Sequence, residues 1–137
     1  MALDFSTLAD STARSPLGCH LGWQPVAITG DRASFRMSFA QHNVTVGNMV
    51  HGGAILADAA ATAACWASPE AGPDSRGATI ALNVNFLKAA LGTDLVAEAV
   101  VVQRGGSLCV ADVTVRDEAG TTVAVARATY KLSHRRS

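Results

Sequence analysis

The chain has 137 residues, 49% of them apolar, with 11 basic and 11 acidic side chains and a formal net charge of zero. This length suits one domain with a real core. The apolar content argues against disorder, and the charge balance argues against general nucleic-acid binding, which needs a basic surface.

Residues 3–13 are expected to form a short helix, with Leu3, Phe5, Leu8 and Ala9 on one side. The segment MALDFSTLADSTARS carries early acids and no continuous apolar core, so it does not read as a secretory signal. Two strands, 23–29 and 32–39, are predicted around a turn at Gly30-Asp31. In the second, Ala33, Phe35, Met37 and Phe39 alternate with polar residues, the period of a half-buried strand. Residues 40–51 form a polar loop, and a helix runs from about Gly52 to Trp66. The stretch SPEAGPDSRG ends that helix with two prolines and two glycines. Four long runs rich in Val, Ala and Thr follow: ATIALNVNFLKA, DLVAEAVVVQR, SLCVADVTVRDE and TTVAVARATYKL. They are separated by LGT, GG and AG, and such short connections favour antiparallel hairpins. The predicted architecture is α+β: one curved antiparallel sheet wrapped around one central helix. It is read as a single domain over 1–137, with an N-terminal segment at 1–14 and a frayed tail at 133–137.

The chemistry concentrates at His51-Gly52-Gly53 and the helix after it. The helix is apolar almost all round, which places it inside the protein, yet it carries one carboxylate, Asp58, among alanines. An acid in such a place is costly unless partnered, and is kept mainly where it acts. No Lys or Arg lies within one turn of it on the same helix. A desolvated carboxylate without a paired cation is the better base near neutral pH. The glycines leave backbone N–H groups free at the positive end of the helix dipole, where an oxyanion can sit.

HNVTVGNMVHGGAILADAAATAAC, the strand ending NVNFLKA, then VVVQRGGSL and VTVRDEAGTTVAVARATYKL together resemble the hotdog-fold acyl-CoA thioesterases of the phenylacetate-degradation (PaaI-like) type, over about residues 15–132. The resemblance implies hydrolysis of an aryl- or medium-chain acyl-CoA thioester. Gly52 would present its N–H to the thioester carbonyl, and Asp58 would act as general base or nucleophile from the facing subunit. Asn43 and Thr62 would position the thioester or the water. It implies a homodimer formed edge to edge, with the site at the seam, and pairing of dimers into tetramers. Coenzyme A enters as part of the substrate, and no separate cofactor is expected. The family spacing departs here in one respect: its usual acid position falls on Ala60, and two residues on a helix are about 200° of rotation. Asn43 stands correspondingly further upstream of His51, so the Asn43-to-Asp58 separation is the family's own. We read this as a two-residue displacement of the glycine turn with the acid retained.

Other readings stay open. Asp58 could pair with an arginine at a subunit interface or face a polar channel without chemistry. Gly52 and Gly53 could serve only a tight turn. His51 is counted with the catalytic group, although fixing the turn by hydrogen bonds is its simpler job. Lys88, Arg104, Gly106 and Ser107 are candidates for the coenzyme A phosphates, because Gly105-Gly106 allow close backbone approach; an ordinary solvated hairpin rim is the alternative. Asn83 and Asn85 share a strand face that could look toward the site or a seam. Trp23, Trp66 and Phe86 read as core, with Trp66 also able to shape an acyl pocket. The four histidines show no ligand spacing, so no metal is expected. Cys19, Cys65 and Cys109 are odd in number and lack CxxC spacing, which suits a reducing cytoplasm, with Cys65 and Cys109 as core packing. No apolar run reaches the roughly 18 residues of a membrane span, and no membrane role is expected. A hydratase is disfavoured because no histidine lies on the helix about one turn from Asp58. A non-catalytic acyl-CoA-binding protein on the same fold remains the main alternative.

Overall fold

A computed structural model describes residues 22–38, 53–68, 71 and 75–133. The elements run β1 (Trp23–Thr29), β2 (Arg32–Met37), α1 (Gly53–Trp66), β3 (Arg76–Phe86), β4 (Leu95–Arg104), β5 (Leu108–Asp117) and β6 (Thr122–Ser133). The strands form one six-stranded sheet in the order β1-β2-β4-β5-β6-β3. Every neighbouring pair is antiparallel. The expected order of two strands, one helix and four strands is therefore present, curved around the helix as in the hotdog fold. The helix expected at 3–13 and the loop at 40–51 lie outside the described residues.

Small side chains set the packing distance between helix and sheet. Along α1, Leu56, Ala57, Ala59, Ala60, Ala61, Ala63, Ala64 and Cys65 are all buried. The sheet meets them with Ala97, Ala99, Ala111, Ala124, Ala126 and Ala128. Alanine is also the best intrinsic helix former, so one residue choice supports both the helix and its close approach to the sheet. Phe35, Met37, Leu56, Leu95, Val113 and Val115 fill the larger spaces. Turn chemistry closes the β5–β6 hairpin: Asp117 Oδ1 accepts from the N–H groups of Ala119 and Thr121. Gly120 takes the left-handed conformation there (φ 86°), which a side chain would oppose.

The two faces of α1 differ. Among the residues of α1 whose burial is described, Asp58, Thr62 and Trp66 are half-buried, spaced four apart along one line of the helix. That line faces β3, an edge strand that is exposed along almost its whole length. Ile80, Phe86 and Leu87 stand 58%, 68% and 59% exposed at or beside this edge. Phe86, read as core from the sequence, is thus at the surface of the chain.

Candidate active site

Asp58 projects from α1 toward the start of β3. There the Thr79 hydroxyl donates a 2.8 Å hydrogen bond to its Oδ1. Among the described residues no ion pair includes Asp58. The carboxylate is half-buried rather than sealed in the core, because the helix line it occupies lies beside β3, the edge strand among the described residues. Ala60 is fully buried against the sheet. Of these two positions, only 58 is half-buried and reaches β3.

Thr62 follows one turn later on the same line, and Trp66 one turn after that. Trp66 Nε1 donates to the Tyr130 hydroxyl at 2.7 Å. Tyr130 is buried on β6, and burial is the main reason its hydroxyl is held above its ordinary pKa. Gly77 of β3 lies against the Tyr130 ring and hydroxyl so closely that a Cβ there would overlap them. Two hydrogen bonds, Thr79–Asp58 and Trp66–Tyr130, thus tie this line of the helix to β3 and β6, with Gly77 packed on Tyr130. Gly53 opens α1, so the N-terminal end of the helix dipole lies just before the acid. Asn43, His51 and Gly52 lie outside the described residues.

Thr79, Gly77 and Tyr130 were not legible as site residues in the sequence. Simple alternation puts Thr79 on the same strand face as Asn83 and Asn85. A bulge between Thr79 and Ala81 reverses that parity, so Thr79 pairs with Tyr130 and faces the helix. Asn83 and Asn85 turn to the outer face. There they line a groove of about 320 Å³ with Asp112, Thr114, Val125 and Arg127, away from Asp58.

The four phosphate candidates divide. Arg104, Gly106 and Ser107 come together on the walls of a cavity of about 100 Å³ with Ser68, Leu108, Cys109 and Leu132. Lys88 is not among them: its N–H bonds Val123 O at the start of β6, whereas Ser107 O accepts from Leu132 N–H near its end. These positions are separated by about 30 Å of extended chain at roughly 3.3 Å per residue. Within one protomer, Lys88 cannot share a phosphate with Arg104. Arg104 also has an internal task. It donates to Cys65 O at 2.9 Å and Ala64 O at 3.2 Å, and pairs with Asp31 at 3.3 Å. It thereby caps the C-terminal end of a helix with no basic residue in its own last turn.

Cys65 and Cys109 are both buried, as expected, and their sulphurs meet at 2.8 Å. Among the described residues, no three His, Cys, Asp or Glu side chains converge as a metal site would require. No described helix is long and apolar enough to cross a membrane.

The family model of the thioesterase superfamily matches residues 47–124. No curated protein matches the chain. A thioesterase family protein from Silicibacter pomeroyi has a similar structure, with 25% identity, a TM-score of 0.84, and coverage of 95% of this chain and 98% of its own. Zebra fish thioesterase superfamily member 2 is similar at 26% identity and TM-score 0.82, covering 96% of this chain and all of its own. The Escherichia coli PaaI protein, from the phenylacetic acid degradation operon, shares the fold at 24% identity and TM-score 0.74, covering 92% of this chain and 91% of its own.

Proposed function

The chain belongs to the thioesterase superfamily, and from that premise we propose that it hydrolyses the thioester of an aryl- or medium-chain acyl-CoA in the PaaI-like manner, with Asp58 as general base or nucleophile. One observation carries this reading. Asp58 is a half-buried carboxylate with no described ion pair, oriented by Thr79 and beside β3, the edge strand among the described residues. An acid paired with arginine would be structural; Asp58 has no such partner among the described residues.

In the base route, Asp58 takes a proton from water as the oxygen attacks the thioester carbon. The N–H of Gly52 receives the developing oxyanion, and the intermediate collapses by expelling the coenzyme A thiolate. In the nucleophile route, an Asp58 oxygen attacks first, the thiolate leaves, and water hydrolyses the mixed anhydride. Thr79 orients the carboxylate in both. Asn43, His51, Gly53 and Thr62 complete the proposed surroundings of the thioester. Trp66 and Tyr130 supply an aromatic wall for the acyl group.

The open β3 edge supports a homodimer built by strand pairing across a two-fold axis. Antiparallel pairing of two β3 strands brings the far end of the partner's β3 alongside Thr79 and Asp58. The cation missing from the Arg104 cluster would then come from the other subunit, as Lys88 of the partner chain. Arg104, Gly106 and Ser107 would hold the phosphates on this side. Dimers would pair again into tetramers. Free thiols suit a reducing cytoplasm.

The test is release of free coenzyme A from a panel of aryl and medium-chain acyl-CoA substrates by the wild type and Asp58→Asn. The substitution should lower kcat by about 10²–10³ while leaving the thermal midpoint near that of the wild type. Undiminished turnover in Asp58→Asn would remove Asp58 from the mechanism. Tight acyl-CoA binding by the wild type without turnover would instead identify a non-catalytic binding protein.

A further inference from the structure

Cys65 and Cys109 take no part in the chemistry assigned to Asp58, although Cys109 lines the cavity proposed for the coenzyme A phosphates. They come from α1 and β5, 44 positions apart in the chain, and the Cys65 thiol donates to Cys109 Sγ across 2.8 Å. Both are free and buried. A disulfide needs an S–S separation of about 2.05 Å, so closing this pair requires the sulphurs to approach by less than about 1 Å.

Access to the two thiols is unequal. Cys109 lines the cavity of about 100 Å³ formed with Arg104, Ser68, Leu132 and the Gly105–Leu108 hairpin; Cys65 does not. This space is large enough for a small reagent such as a hydroperoxide to reach Cys109. The thiols also differ chemically. The hydrogen bond from Cys65 holds Cys109 below the ordinary thiol pKa, helped by the Arg104 charge and opposed by burial. The same bond, followed by burial, pushes Cys65 up. The thiolate is the nucleophile in thiol chemistry, and the sulphur that the cavity reaches is the one held toward that form.

We propose that this pair is an oxidisable dithiol site for small hydroperoxides, with Cys109 the attacking residue and Cys65 the resolving one. Cys109 sulphur attacks the terminal peroxide oxygen, the O–O bond breaks, and the alkoxide or hydroxide leaves to take up a proton. Cys109 becomes a sulfenic acid. Cys65 sulphur then attacks Cys109 sulphur, the S–O bond breaks, and the hydroxyl departs with the Cys65 proton as water. Two thiols lose two electrons to one peroxide, which is reduced to an alcohol or water. The bond formed ties the end of α1 to β5, and an external thiol reverses it.

The native protein in a Cys19→Ser background is exposed to a small molar excess of hydrogen peroxide. It is then alkylated in denaturant and analysed by intact mass and peptide mapping. Loss of two hydrogen atoms, a joined Cys65–Cys109 peptide and a thermal midpoint raised by several degrees are expected, all reversed by dithiothreitol. In Cys65→Ala, dimedone should label Cys109; in Cys109→Ala, Cys65 should stay unlabelled. Full alkylation of both thiols after native exposure to peroxide would overturn the proposal, as would oxidation of Cys65 ahead of Cys109. Should either variant fail to fold, the cross-link in the Cys19→Ser protein decides alone.

Discussion

The two ends of α1 treat charge in opposite ways. Near its start, Asp58 has a threonine hydroxyl for company and an edge strand beside it. At its end, Arg104 is only 24% exposed, and its guanidinium is spread over two helix carbonyls and Asp31. A charge that the fold neutralises stabilises the fold. A charge left without a counter-ion costs stability and remains available to a ligand. On the proposed reading, the acid at the first end does the chemistry, while Arg104 at the second end anchors the helix.

Crossing the two charges breaks or sharpens this contrast most strongly. Asp58→Asn should cost about 3–4 kcal/mol of transition-state stabilisation with little change in melting. Arg104→Met should do the reverse for the fold. It removes charge-assisted bonds to the last carbonyls of α1 and should destabilise the protein by about 2–3 kcal/mol, read by chemical denaturation. If Arg104→Met melts like the wild type, the capping role is wrong.

Next comes the packing of β3 on Tyr130. Gly77→Ala forces a methyl group into the Tyr130 hydroxyl that Trp66 holds. A loss of about 1–3 kcal/mol is expected from this overpacking, with a shift in tryptophan emission. Wild-type stability and emission together would mean that β3 moves freely against the helix. Thr79→Val should have a smaller effect, about 5-fold on kcat, since it removes one hydrogen bond that orients Asp58 but leaves the acid in place. An unchanged kcat would show that Asp58 needs no orientation.

The smallest effect belongs to Asp112 and Arg127 on the outer face, 45% and 61% exposed. The Arg127 guanidinium holds the Asp112 carboxyl below its ordinary range. The pair's contribution is therefore complete above the unfolded carboxylate pKa near 4 and fades as pH falls through the lower folded value. Exposure and screening keep it small. Asp112→Asn should leave the midpoint at pH 7 within error, and any difference present there should shrink on acidification below about pH 4.

Much of this was legible in the sequence because it depends on local pattern. Alanine-rich helix, alternating strands and short Gly-containing connections reproduce the order of the described elements, with bounds that differ by up to three residues: β2 ends at Met37 rather than 39, and β3 runs Arg76–Phe86 where the sequence run is 78–89. Asp58 was legible too, as the lone acid in an apolar helix. What pattern reading missed involved residues brought together from a distance. Lys88 and Arg104 both look like strand-end cations, but β6 holds them far apart. Arg104 looks like a solvated hairpin residue, and β4 delivers it to the end of α1. Cys65 and Cys109 looked like separate core fillers, and only the helix crossing the sheet puts sulphur against sulphur.

The sequence alone determined a buried alanine-rich helix, an antiparallel sheet and an acid set within that helix, since periodicity and composition act over a few residues. Tertiary structure decided which way that acid turns and what stands beside it. The bulge after Thr79 changes the parity of β3, and a strand's facing is set by the whole ladder rather than by any local run.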